Sequence, residues 1–130
     1  MRRMVHCYFV SDLHGNIERY DKLFNRLHHQ PPEILFIGGD ILPHGFHMKK
    51  NEPEDFIRKH LVDRFLELKN KLGDRYPEVF LILGNDDPRI NEERIRKEGS
   101  EYQIWKYIHA QHVEYGGYDI YGYSFIPPSP

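Results

Sequence analysis

In FVSDLHGN, residues 9–16, a short apolar run stops on a carboxylate at Asp12, an imidazole at His14 and a glycine at Gly15. A buried strand that runs out this way delivers an oxygen and a nitrogen ligand from one turn, at the edge of a sheet. Two further apolar runs end alike: residues 34–37 lead into Gly38-Gly39-Asp40, and residues 79–83 into Gly84-Asn85-Asp86-Asp87. With residues 5–10 they make three runs rich in β-branched and aromatic side chains, which predicts three buried parallel strands. Between the first two, Ile17, Tyr20, Leu23, Phe24 and Leu27 recur at helical spacing before Pro31-Pro32. Between the second and third, a helix beginning at Pro53 carries Phe56, Ile57, Leu61, Phe65, Leu68 and Leu72 on one face and stops at Gly73. The order βαβαβ predicts an α/β sheet with right-handed crossovers.

Downstream, the signals are local. Asp87-Pro88 opens a helical turn that Gly99 ends, and Ser100-Glu101-Tyr102-Gln103 fits a capping box for a further helix with Ile104, Trp105 and Ile108 facing inward. Gly116-Gly117 between two short β-prone runs predicts a hairpin.

A chain of 130 residues, 39% hydrophobic and 14% aromatic, has enough apolar material for one core, so residues 1–130 read as a single domain. The net charge of -2, with cations scattered among anions, leaves no stripe to track a nucleic-acid backbone. Cys7 is the one cysteine, which excludes an intramolecular disulfide and a cysteine zinc knuckle and favours a reducing compartment, the cytoplasm. The apolar stretch after Met1-Arg2-Arg3 is broken by His6 and stops at Ser11, too short for a signal core or a membrane span.

The chemistry lies where the strands end. Parallel strands bring Asp12, His14, Asp40 and Asn85 to one edge, where Asp12 and His14 can serve one ion, Asp40 can bridge two, and Asn85 adds a neutral oxygen. Carboxylate and imidazole together suit Mn, Fe, Zn or Ni better than Ca. Singly, each motif reads as a turn or helix cap. Three such motifs in register, each beside glycine, point to a metal site.

Asp12-Leu13-His14-Gly15, Gly39-Asp40 and Gly84-Asn85-Asp86 resemble the first three blocks of the calcineurin-like metallophosphoesterase superfamily: D-x-H, G-D and G-N-[H or D]. The resemblance implies the N-terminal half of a four-layer α/β/β/α sandwich and a dinuclear centre that hydrolyses phosphomonoesters or phosphodiesters. It implies that Asp12 and His14 hold one metal, Asp40 bridges, and Asn85 holds the second. Where the family often has a catalytic histidine, this chain has Asp86, the candidate for that catalytic position. The arginine that often follows the second block is absent, and His44 in Ile41-Leu42-Pro43-His44-Gly45 is the candidate phosphate contact, against the plainer reading of an exposed loop histidine.

The family completes its site with later histidines from a second half, which this chain does not contain. His109 and His112, placed on or just past the helix from Ser100, read as surface or packing residues. The expectation is therefore an incomplete domain, a truncated form holding one metal or none, with little turnover and a sheet edge open to self-association. No membrane partner is expected. A non-catalytic scaffold for protein partners stands as the alternative.

Overall fold

The computed structural model describes residues 3–43 and 56–124, so Pro53 and His44 lie outside the described residues. Its frame is a parallel sheet of β1 (Cys7–Val10), β2 (Ile34–Ile37), β3 (Glu78–Leu81) and β4 (Lys106–Tyr107), in the order β1-β2-β3-β4. Register puts Val10 opposite Ile37, and Ile37 opposite Leu81, so the first three strands end at one level. That alignment follows from matched strand lengths, and it brings the three ligand-bearing turns side by side.

The helices cover one face of the sheet. In α1 (Ile17–His29), the Asn16 side chain accepts the Arg19 backbone N–H as an N-cap, while Tyr20, Phe24 and Leu27 turn inward. A π-helical turn, Ile57–Val62, runs into α2 (Asp63–Leu72), which ends at Gly73 as the sequence predicts. Phe65 links the layers, with its ring centroid 4.8 Å from Phe24 and 5.7 Å from Trp105, both edge-on. These side chains pack on Leu35, Ile37, Val79 and Leu81 in one core.

The opposite face alternates with it along each strand. Ile34, Phe36 and Phe80 pack with Ile108, Val113 and Ile120 in a second cluster. The last three come from or just before the hairpin of β5 (Gln111–Tyr115) and β6 (Tyr118–Gly122), whose turn, Gly116-Gly117, lies where the sequence places it. The described chain is thus a mixed α/β domain with helices on one side of a parallel sheet and a hairpin on the other.

The segment around Ser100 departs from expectation. Instead of a turn that Gly99 ends and a new helix from Ser100, one helix, α3 (Glu92–Tyr102), follows a 3₁₀ turn at Arg89–Asn91 and runs through both residues. It ends where Gln103 turns left-handed, φ 54°, with the Gln103 N–H bonded to the Ser100 carbonyl and the Ile104 N–H to that of Gly99. Gly99 is needed for packing. A Cβ there would lie 2.2 Å from the Trp105 ring, which folds back over the helix and donates its indole N–H to the Ile95 carbonyl at 2.8 Å. Ile104, Trp105 and Ile108 are buried as expected, but from the segments that flank β4, not from a helix.

His109 and His112 are displaced with it, from the expected helix onto the hairpin region. His109 bridges to Gly122 and its Nδ1 accepts the Ser124 N–H, while His112 pairs with Asp119 at 2.8 Å and stacks on Tyr121. Ser124 also donates or accepts at Tyr107 (2.9 Å), and its hydroxyl accepts the Leu83 N–H, fastening the end of the hairpin to the end of β3.

Because a Cβ at Gly99 must displace Trp105 or the helix, Gly99→Ala should cost about 1–3 kcal/mol, as overpacking does. Urea unfolding followed by the fluorescence of Trp105, the single tryptophan, measures it.

Candidate metal centre

Beyond the strands, the β1–β2 ladder continues into the turns. Gly38 N–H bonds to the Val10 carbonyl (2.7 Å), Asp12 N–H to Gly39 (3.2 Å), His14 N–H to Asp40 (2.8 Å) and Gly15 N–H to Ile41 (3.0 Å). To keep these bonds while changing direction, Asp12, His14 and Asp40 adopt left-handed φ values of 58°, 46° and 54°. For residues with a Cβ this conformation costs about 1–3 kcal/mol each, and it persists only where the surroundings enforce it. Here the three strained positions are three of the four candidate ligands, Asn85 being the exception.

One ligand atom from each of Asp12, His14 and Asp40 falls within a group whose members all lie within 4.8 Å of one another. His14 Nε2 and Asp12 Oδ1 are 3.4 Å apart. The Ser11 hydroxyl donates to Asp12 Oδ2 at 2.9 Å and, with His14 nearby, holds the Asp12 carboxyl below its usual range, in the ionised form a cation needs. Arg19 Nη1 donates to the Asp12 carbonyl at 2.7 Å, bracing the turn from α1. Two carboxylates and an imidazole, gathered on an enforced backbone, fit a divalent first-row metal.

The third turn is brought in by contact too close for any side chain. A Cβ on Gly84 would lie 2.2 Å from Asp40 Oδ1, and one on Gly39 would lie 2.6 Å from Gly84 N. With the two backbones in contact, Asp86 N–H donates to Asp40 Oδ1 at 2.9 Å. Asn85 and Asp86 are exposed on this turn, beside Asp40. The structure therefore draws Asp12, His14 and Asp40 together and sets the Asn85-Asp86 turn against them through the Asp86 backbone.

A residue not singled out as functional fixes the arrangement. Asp87 is 2% exposed, and its carboxylate accepts N–H bonds from Ile41 (3.0 Å), Leu42 (2.9 Å) and Gly84 (3.0 Å). Burial pushes its pKa up, and the three N–H donors pull against that shift. In the sequence, Asp87 before Pro88 looks like a turn former. Its position three residues after Gly84, from which a carboxylate can reach back to that residue's N–H as the acidic member of a capping box does, is the one signal that could have marked it. From below, the buried Tyr20 hydroxyl donates to the Ile41 carbonyl at 2.7 Å, and burial raises its pKa.

Comparison with known proteins agrees with this architecture. A family model described as calcineurin-like phosphoesterase matches residues 5–126. No curated protein matches the chain. A solved crystal structure, 18% identical, superposes with a TM-score of 0.58 over 97% of this chain and 54% of that one. The chain thus spans about half the length of that structure, and at this identity the likeness bears on the fold alone.

An asparagine at position 87 can accept at one end only, turning its NH₂ toward either Gly84 N–H or the Ile41 and Leu42 pair. Asp87→Asn should therefore destabilise the protein by about 1–3 kcal/mol. Urea unfolding gives the loss, and faster hydrogen exchange at Gly84, Ile41 or Leu42 shows which donor is orphaned.

Proposed function

The chain belongs to the calcineurin-like phosphoesterase family, and from that premise we propose that it is a metal-dependent hydrolase of phosphomonoesters or phosphodiesters. The observation that carries this reading is the convergence of Asp12, His14 and Asp40 within 4.8 Å on three left-handed backbone positions. In the proposed site Asp12 and His14 hold one divalent ion, Asp40 is shared, and Asn85 serves a second; Mn, Fe, Zn and Ni all suit these donors. Such ions supply positive charge to phosphoryl oxygens and ease ionisation of the attacking water.

The protein's own part is to hold these donors in place. Asp40 Oδ1 is oriented by the Asp86 N–H, and the absence of a Cβ at Gly84 lets that carboxylate approach. The Ser11 hydroxyl donates to the Asp12 carboxylate and favours its ionised form, and Arg19 braces its turn. Asp86 stands at the position of the family's third-block histidine. An ionised carboxylate there can accept a proton, so Asp86 is proposed as the general base that takes the proton of the attacking water. His44 is proposed as the phosphate contact in place of the missing arginine. The exposed free thiol of Cys7 supports a reducing compartment, proposed to be the cytoplasm. Among the described residues, no helix is long and apolar enough to cross a membrane.

Asp86 in place of histidine also favours a second reading, a scaffold of the same fold that holds metal without turnover. One experiment separates the two. The chain is dialysed, its metal content is measured, and hydrolysis of an aryl phosphomonoester and a bis-aryl phosphodiester is assayed with added manganese or zinc. Asp40→Ala and Asp12→Ala should each lower metal retention and any turnover by at least about 100-fold, the upper end of what losing an outer-shell partner costs. His112→Ala, whose ring pairs with Asp119 on the hairpin, should change neither. Metal retention that depends on Asp40, without turnover, leaves the scaffold. Retention unaffected by Asp40→Ala overturns both.

A further inference from the structure

In a parallel ladder a central strand donates alternately to its two neighbours. Past the end of β3, Ile82 N–H bonds to the Ile37 carbonyl on the β2 side (3.0 Å), while on the other side Ile108 N–H bonds to the Leu81 carbonyl (3.1 Å). The next rung on that side falls to Leu83. Its N–H goes to a side chain, Ser124 Oγ, at 3.0 Å. The hairpin strand that leads to Ser124 reaches this point by close contact, since a Cβ on Gly122 would lie 2.6 Å from the Ile108 carbonyl oxygen.

Ser124 is 5% exposed and belongs to a row of hydrogen bonds whose direction is fixed. Tyr107 donates its one hydroxyl proton to Glu92 Oε2 at 2.5 Å, so at the 2.9 Å contact with Ser124 the phenol oxygen accepts and the serine donates. The lone pairs of Ser124 Oγ are left for Leu83. The row therefore runs from Leu83 N–H to Ser124, from Ser124 to Tyr107, and from Tyr107 to Glu92, the first residue of α3. Each bond polarises the next, and the row ends on a carboxylate. Burial, with Glu92 beside it, raises the pKa of Tyr107, so the phenol keeps the proton it donates.

Leu83 and Gly84 lead directly into Asn85 and Asp86. Their N–H groups are held by side chains from two different places, Leu83 by Ser124 and Gly84 by Asp87. Asp87 ties the turn to the segment after β2; the row through Ser124 ties it to the hairpin, β4 and α3. We propose that Tyr107 is a positioning residue for the candidate metal centre. By setting the Ser124 hydroxyl it fixes the Leu83 amide, and with it the turn that carries Asn85 and whose Asp86 N–H orients Asp40. Tyr107 acts through this row and not on a ligand directly. The consequence for metal rests on the function proposed above, whereas the ordering of the turn does not.

The test compares the chain with its Tyr107→Phe variant, which keeps the ring and loses the hydroxyl, by amide hydrogen exchange without metal and by manganese titration. Exchange at Leu83 and Asp86 should quicken at least about tenfold more than at Phe36 and Ile37 in β2. Manganese affinity should fall about tenfold, the lower end of what losing an outer-shell partner costs. Glu92→Ala breaks the same row from the half-buried start of α3 and should give the same pattern, which keeps the test available if Tyr107→Phe does not fold. Gly99→Ala, which strains the packing of Trp105, should quicken all these amides by a common factor and leave manganese affinity unchanged. Uniform quickening in Tyr107→Phe and Glu92→Ala, or manganese bound by them as by the parent chain, would overturn the proposal. Localised quickening in variants of a parent chain that takes up no manganese supports the positioning of the turn and overturns the metal reading of the site instead.

Discussion

A carboxylate out of contact with water holds the candidate site together. Asp87 joins the turn after β2, through Ile41 and Leu42, to the turn after β3, through Gly84, and without it two buried N–H groups and one part-buried N–H would lose this acceptor. Its desolvation is unfavourable, and three charge-assisted hydrogen bonds offset it. The contact between Gly39 and Gly84 depends on that tie, and the approach of the Asp86 N–H to Asp40 depends on the contact. Asp40, the ligand common to both proposed metal positions, is therefore held by a residue that has no place among the ligands.

The metal centre also shows how strain is distributed. Asp12, His14 and Asp40 are each in a conformation that a free chain avoids, yet each backbone lies in a ladder that leaves it little alternative. The interleaved bonds from Gly38 to Gly15 extend the sheet past its regular end, and Tyr20 and Arg19 brace the extension from α1. The sheet's registry, set by burial far from the site, thus becomes positional accuracy at the ligands.

Much of this was legible in the sequence where a repeating period carried it. β2, α1, the inward face of α2 and the Gly116-Gly117 hairpin rest on periodicity and turn chemistry, and Asp12, His14 and Asp40 on strand ends that a parallel sheet must align. At Ser100 a capping signature was outweighed by packing just beyond it, because Trp105 needs the space at Gly99 and α3 continues beneath it. β4, two residues long, has no period to read. Asp87 was missed for the same reason: its three partners come from 41, 42 and 84, and nothing in Asn85-Asp86-Asp87-Pro88 separates a buried acceptor from a turn.

The long reach of that tie bears on the order in which the molecule assembles. The Ile41–Asp87 bond spans 46 residues and the Leu83–Ser124 bond 41, so both close large loops, whose entropy is spent before either contact is made. Asp12 and His14 are neighbours from the outset, but Asp40 joins them only when β2 has paired with β1, and the Gly84 turn only when β3 has docked. A nascent chain offers a cation one carboxylate and one imidazole on an unconstrained loop. The multidentate grip is a late product of folding, and a metal held by all three donors would bind only after β2 has paired with β1.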